Sequence, residues 1–168
     1  MNRSVTHATF VIERVYDASP SMVFGAFADP KAKARWFNGP EEWGPDEQML
    51  DFRIGGRETS RGGPKGGPVH TYEARYYDIV PDERIVLAYD MDLDGRRISV
   101  SLATIEFKSA GKGTKLIFTE QGAFLDGYDN VAGREHGTRE LLDSLGRELE
   151  RLTAGRDSEA HVSGRTKQ

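Results

Sequence analysis

The chain has 168 residues, 37% of them hydrophobic and 30% charged, with a formal net charge of −4 and no cysteine. That length suffices for one domain with a sizeable core. A net negative chain without a basic stripe is unsuited to nucleic acid. The missing cysteine excludes disulfides, thiolate metal sites and a cysteine nucleophile.

No apolar run approaches the ~18 residues of a membrane span, and the opening MNRSVTHATF lacks the apolar core of a signal peptide. The expectation is a cytoplasmic protein with no membrane or nucleic-acid partner. Residues 1–7 read as a flexible start, 8–153 as a single domain and 154–168 as a disordered tail.

Within the domain, Ala8–Tyr16 alternates around Phe10, Ile12 and Val15 as a strand. Ser19-Pro20 offers a helix cap followed by proline at the first helical position, and the helix carrying Met22, Phe24 and Phe27 must stop before Pro30. A second short helix is predicted over Pro30–Trp36. Mostly strand follows from residue 48 to 121. Met49–Ile54 alternates and ends at Gly55-Gly56, and Arg57–Ser60 leads into the glycine-rich stretch 61–68. Val69–Val80 then shows His70, Tyr72, Ala74 and Tyr76 on one face.

Arg84–Leu93 places Ile85, Leu87, Tyr89 and Met91 together. Asp94-Gly95 signals a hairpin into Arg96–Lys108, and Thr114–Gln121 directs Leu116, Phe118 and Glu120 to one side. Consecutive hairpins give an antiparallel sheet, and segregated helices make the class α+β.

The last helix, Asp129–Thr153, carries a stripe of Leu141, Leu142, Leu145, Leu149 and Leu152. Carried toward the N-terminus, the same face holds Val131, Arg134 and Thr138, so the stripe turns from apolar to polar or small. A helix over a solid core has no need of that change, whereas one whose first half roofs a cavity does. His136 falls on the opposite side, toward solvent. Gly146, beside the stripe, would let the helix approach a strand. Glu135–Arg139 and Asp143–Arg147 have the spacing of outer ion pairs.

This order resembles the family of the activator of Hsp90 ATPase homologue, within the START-like, Bet v 1-like superfamily. The resemblance is carried by IERVYDASPSMVFGAFADP (12–30) with Trp36-Phe37, DFRIGGRE (51–58), YYDIVPDERIVLAYDM (76–91), GKGTKLIFTEQGAF (111–124) and REHGTRELLDSLGREL (134–149). It implies a helix-grip fold: a curved antiparallel sheet of about six to seven strands around the C-terminal helix, two short helices after the first strand, and a cavity between sheet and long helix. Many relatives place tryptophan after the glycine where this chain has Gly137-Thr138, which implies more room here. Nothing corresponds to the separate N-terminal domain of the eukaryotic Hsp90 activator, and the family shares no catalytic triad or metal set.

Residue by residue, Glu120 and Arg134 are expected to meet at the cavity mouth, because a charge there without a partner is costly. They would anchor a ligand's carbonyl or carboxylate, act as acid and base, or form a structural ion pair. Trp36, Tyr72, Tyr89, Met91, Phe118, Phe124, Thr138 and Leu142 complete the expected ligand-binding set, and Trp43 is a candidate lid. His70, beside Tyr72, is with Glu120 a weak catalytic candidate, and no catalytic set is recognisable. The scattered histidines fit no metal spacing, and RGGPKGGP lacks the lysine and helix of a phosphate loop, so no cofactor is expected. Three functions stay open: a binder of a small hydrophobic or aromatic molecule, a cyclase, dehydratase or hydrolase on the same scaffold, and a chaperone co-factor module.

Overall fold

The computed structural model describes residues 3–164, with side chains through Arg156 in the last helix. The chain begins with strand β1 (Val5–Tyr16) and helices α1 (Pro20–Ala28) and α2 (Pro30–Trp36). Strands β2 (Glu47–Leu50), β3 (Arg57–Gly62), β4 (His70–Val80), β5 (Arg84–Leu93), β6 (Arg96–Ala110) and β7 (Gly113–Leu125) follow, and helix α3 (Val131–Gly164) comes last. A single turn of 3-10 helix, Glu41–Trp43, interrupts the segment between α2 and β2.

Local chemistry accounts for the joints. The Ser19 hydroxyl accepts the Met22 N–H with Pro20 at the first helical position. Asp29 both closes α1 and caps α2 by accepting the Lys31 N–H. At the β5–β6 hairpin, Asp94 and Gly95 both take positive φ, 52° and 77°, as the Asp-Gly signal requires.

All seven strands form one antiparallel sheet in the order β1-β7-β6-β5-β4-β3-β2. Joining the first strand to the last brings the two ends of the chain's sheet together, with Ile12 opposite Phe118 and Phe10 opposite Glu120. The expected helix-grip arrangement is present. One face of the sheet holds α3 with α1 and α2 beside it, and the core lies between.

Phe107 is met edge-on by Phe24 and Phe27, each with ring centroids 5.6 Å away, and Phe27 by Trp36 at 4.9 Å. Leu142, Leu145 and Leu149 of α3 are buried in the same cluster. Each such burial contributes about 1.5–3 kcal/mol. The Tyr16 hydroxyl donates to the Leu142 carbonyl at 2.7 Å. A β-carbon on Gly146 would lie 3.3 Å from the Tyr16 ring, so glycine permits the close approach anticipated there. Farther along, the Glu148 carboxylate receives Arg35 of α2 (2.7 Å) and Arg151 (2.9 Å), tying the two helices together.

Several boundaries differ from the sequence expectation. β1 starts at Val5, where it pairs with Leu125, inside the segment read as flexible. Of the alternating run Met49–Ile54 only Met49 and Leu50 are strand, at the end of Glu47–Leu50. Beyond it the chain turns: Gly56 donates to Arg53, Gly55 to Tyr76, and Tyr76 back to Gly56. Gly55 takes φ 83°, and a β-carbon on Gly56 would stand 2.1 Å from the Asp51 carbonyl. Two glycines thus override the alternation, leaving Ile54 exposed and turning Phe52 onto Phe24 and Tyr76.

The helix also outruns its expected end at Thr153. Residues 154–164, read as disordered tail, continue the helical backbone, and 165–168 lie outside the described residues. Glu135 pairs with Arg139 as expected (3.1 Å), but Asp143 turns to Arg14 of β1 (3.5 Å) while Arg147 donates to Ser144. The neighbouring strand offers Asp143 a cation that a helix considered alone does not have.

Candidate functional site

Burial changes along the inward-facing rows. Ala74 and Tyr76 of β4, Leu87 and Tyr89 of β5 and Leu116 of β7 are sealed. On the same faces Tyr72, Met91 and Phe118 stay partly open, as do Val131, Arg134 and Leu141 on α3. Apolar side chains that point inward yet keep surface thus gather between the first half of α3 and the sheet, with Phe37 at the end of α2 against Tyr72.

Here the expected pair of Glu120 and Arg134 is formed, buried instead of lying at an open mouth. Glu120, 1% exposed, accepts the Tyr89 hydroxyl at 2.6 Å and the Ser101 hydroxyl at 3.0 Å, with the Arg134 guanidinium 3.5 Å away. Arg134 also donates to the Tyr89 oxygen (3.0 Å), Ser99 (2.7 Å) and Asp129 (2.8 Å), and lies over the Phe124 ring at 5.4 Å. Two carboxylates therefore share one guanidinium. Period-two alternation on β7 points Glu120 inward, and the first turn of α3 swings Arg134 down onto it.

A second buried ion pair has no counterpart in the sequence reading. The Lys33 ammonium of α2 donates to Glu58 of β3 at 2.7 Å and to the Tyr76 hydroxyl at 3.3 Å, and stands 4.5 Å from the centre of the Phe37 ring. Tyr76 donates to Glu58 at 2.8 Å, and the Tyr72 hydroxyl reaches the same oxygen only at 3.5 Å. The Tyr72 and Tyr89 rings meet at a tilt of 39°, centroids 4.9 Å apart, and join the two clusters. The signal for this pair was faint. Glu58 closes the family word DFRIGGRE, but its inward neighbour on β3 is Ser60, so no apolar alternation marks the face. Lys33 sits three residues before Trp36, on the buried side of a helix too short to show a stripe.

Burial, then the Glu120 charge, pushes the Tyr89 phenol well above its ordinary range, and burial with Glu58 does the same to Tyr72 and Tyr76. These hydroxyls remain protonated donors. Burial also raises Glu120 above its usual 4.5, although the bonds from Tyr89, Ser101 and Arg134 work against the shift. For Arg134 burial opposes the charge, while Tyr89, Glu120 and Asp129 outweigh it and hold the guanidinium cationic. Among the described residues every buried side-chain nitrogen and oxygen has a hydrogen-bond partner within the protein.

The other anticipated residues divide. Tyr72, Met91 and Phe118 keep surface on this side, whereas Tyr89 and Thr138 are buried, with the Thr138 hydroxyl tied back to the Arg134 carbonyl. Trp36 is spent in the core: it is buried, and its indole N–H donates to Ala26 at 2.9 Å. Leu142 is buried beneath, and Phe124 lies under Arg134. Trp43 stacks on His70, centroids 5.0 Å apart, next to Tyr72 on β4. A β-carbon on Gly39 would stand 2.6 Å from the Trp43 ring, so glycine there lets the indole fold back. His136 is exposed and pairs with Glu140 at 3.2 Å.

On the opposite, outer face, small side chains among them Ala8, Ala88 and Ala123 leave a shallow depression of about 420 Å³. Among the described residues no cluster of His, Asp and Glu could hold a metal ion, and no helix is long and apolar enough to cross a membrane.

A curved antiparallel sheet gripping one long helix defines a helix-grip protein, a fold that serves in general as a ligand-binding scaffold. The family described as Activator of Hsp90 ATPase homolog 1-like protein matches residues 17–150, and the chain belongs to it. Two solved structures share close to half its sequence. A putative uncharacterized protein from Rhizobium leguminosarum is 46% identical, with TM-score 0.86 over 90% of this chain and 99% of that one. The Mll3558 protein from Rhizobium loti is 49% identical, with TM-score 0.80 over 86% and 99%. An AHSA1-like protein from Aeromonas hydrophila shares the fold at 21% identity, with TM-score 0.68 over 87% and 94%. Among functionally curated proteins, none matches the chain.

Proposed function

We propose that the protein binds a small apolar or aromatic molecule in the cleft between the first half of α3 and the sheet. The observation that carries this reading is the convergence of two buried ion-pair clusters on the Tyr72–Tyr89 pair, at the part of the interior that stays open. Buried ion pairs add little stability compared with apolar residues of the same volume, so two of them beside an opening fit a recognition role better than a structural one. The apolar walls would be Phe37, Met91, Phe118 and the tyrosine rings. Tyr72 supplies the polar contact, since its hydroxyl has only the 3.5 Å contact to Glu58. Thr138 gives the ligand room beneath the helix.

Native mass spectrometry of freshly purified protein, followed by a thermal-shift screen of apolar and aromatic compounds, tests the reading. Thr138→Trp, which fills the space, is expected to weaken any hit at least tenfold. Tyr72→Phe is expected to weaken hydroxyl- or carbonyl-bearing hits while leaving the melting temperature almost unchanged. Undiminished affinity in both variants would place the ligand elsewhere.

A further inference from the structure

Resting on that binding reading, we infer that the cleft selects an apolar cation, of the arylalkylammonium kind, over a carboxylate of the same shape. The sequence offered Arg134 and Glu120 as an anchor for a ligand's carbonyl or carboxylate, as acid and base, or as a structural ion pair. In the structure neither buried cation is free to anchor a carboxylate. Arg134 is divided among Ser99, Tyr89, Asp129 and Glu120, and Lys33 among Glu58, the Tyr76 oxygen and the face of Phe37. An incoming carboxylate would have to displace a buried carboxylate already in place, leaving it unpaired.

The charge balance leans the same way. Besides Glu58, Glu120 and Asp129, the Asp46 carboxylate lies across the inner face of β3, accepting the Ser60 hydroxyl at 3.1 Å. Among the described residues these four carboxylates stand with Lys33 and Arg134 around this part of the interior, and His70 stacks on Trp43. The walls also suit a cation. Lys33 and Arg134 sit over aromatic rings, at 4.5 Å from Phe37 and 5.6 Å from Tyr89, so aromatic faces in this part of the interior already lie against positive charge. The excess acid and the ring faces act together, one by its field and the other by contact.

The test uses three matched probes, 2-(2-naphthyl)ethylammonium, 2-(2-naphthyl)ethanol and 2-naphthylacetate, titrated calorimetrically into the full chain. The ammonium is expected to bind at least tenfold tighter than the carboxylate, with the alcohol between. Asp129→Asn, at the more open end of the network, and Glu120→Gln should each narrow that gap; Asp129→Asn keeps the test valid should the buried substitution fail to fold. A carboxylate that binds as well as the ammonium, with the alcohol also binding, overturns the charge preference and leaves the cleft intact as a site. Binding of none of the three removes the cleft reading itself, and the preference with it.

Discussion

The two halves of α3 share one face and do different work. Leu142, Leu145 and Leu149 are sealed against β1, α1 and α2, with Tyr16 pressed onto Gly146. One turn earlier the same face presents Thr138 and Arg134, and the neighbouring strands answer with Tyr89, Ser99, Ser101 and Glu120. The leucine half of the contact is held by apolar area, which is non-directional. The half that carries Arg134 and Thr138 is held by hydrogen bonds, each of which specifies a partner. A helix that must both close a core and roof an opening needs both kinds, because apolar packing alone would fill the opening.

Substitutions should separate the halves. Leu145→Ala, at a position 0% exposed, is expected to cost about 4 kcal/mol in chemical denaturation and to leave ligand preference untouched. Arg134→Ala is expected to cost about 3 kcal/mol, because it strands Glu120 and Asp129 without their cation, and also to alter binding. A stability loss of the same size with unchanged ligand selectivity would make both halves purely structural.

The smallest effect is in pH, and there the halves carry opposite signs. For Glu148, burial raises the proton affinity, but the bonds from Arg151 and Arg35 outweigh it, so its folded pKa lies below the usual 4.5. Its contribution is present above pH 4.5 and is lost as pH falls through the folded value. Glu120 is raised by burial, so its contribution is complete below pH 4.5 and is lost as pH rises through the folded value. Denaturation midpoints of Glu148→Gln and Glu120→Gln against the unsubstituted chain, measured across acid pH, should therefore diverge in opposite directions. Parallel curves would contradict the electrostatic difference between the halves.

Much of the architecture was readable from local signals. The strand faces of β4, β5 and β7 follow from period-two alternation, the Asp-Gly hairpin and the Ser19-Pro20 start from turn and cap chemistry, and the position of α3 from its leucines. The Glu120–Arg134 pair was readable as well, since an inward carboxylate demands a cation and the helix wheel offered Arg134. Lys33–Glu58 was not, because both residues sit on short elements whose faces carry no apolar rhythm. Nor could the stretch after Leu50 be read correctly: its alternation is that of a strand, and only the backbone bonds between the glycine turn and Tyr76 decide against one.

By itself, then, the sequence determined which side chains of β4, β5, β7 and the last helix share a face, because side-chain period is a property of the local backbone. It also determined that the first half of the last helix would differ from the second. Only the tertiary structure decided how the charges are shared: that Arg134 is held by two carboxylates and two hydroxyls, that Trp36 belongs to the core, and that a second ion pair lies across the tyrosines. Those outcomes depend on distances between residues far apart in the chain. Such distances are set by the curvature and register of the whole sheet, and no window of sequence contains them.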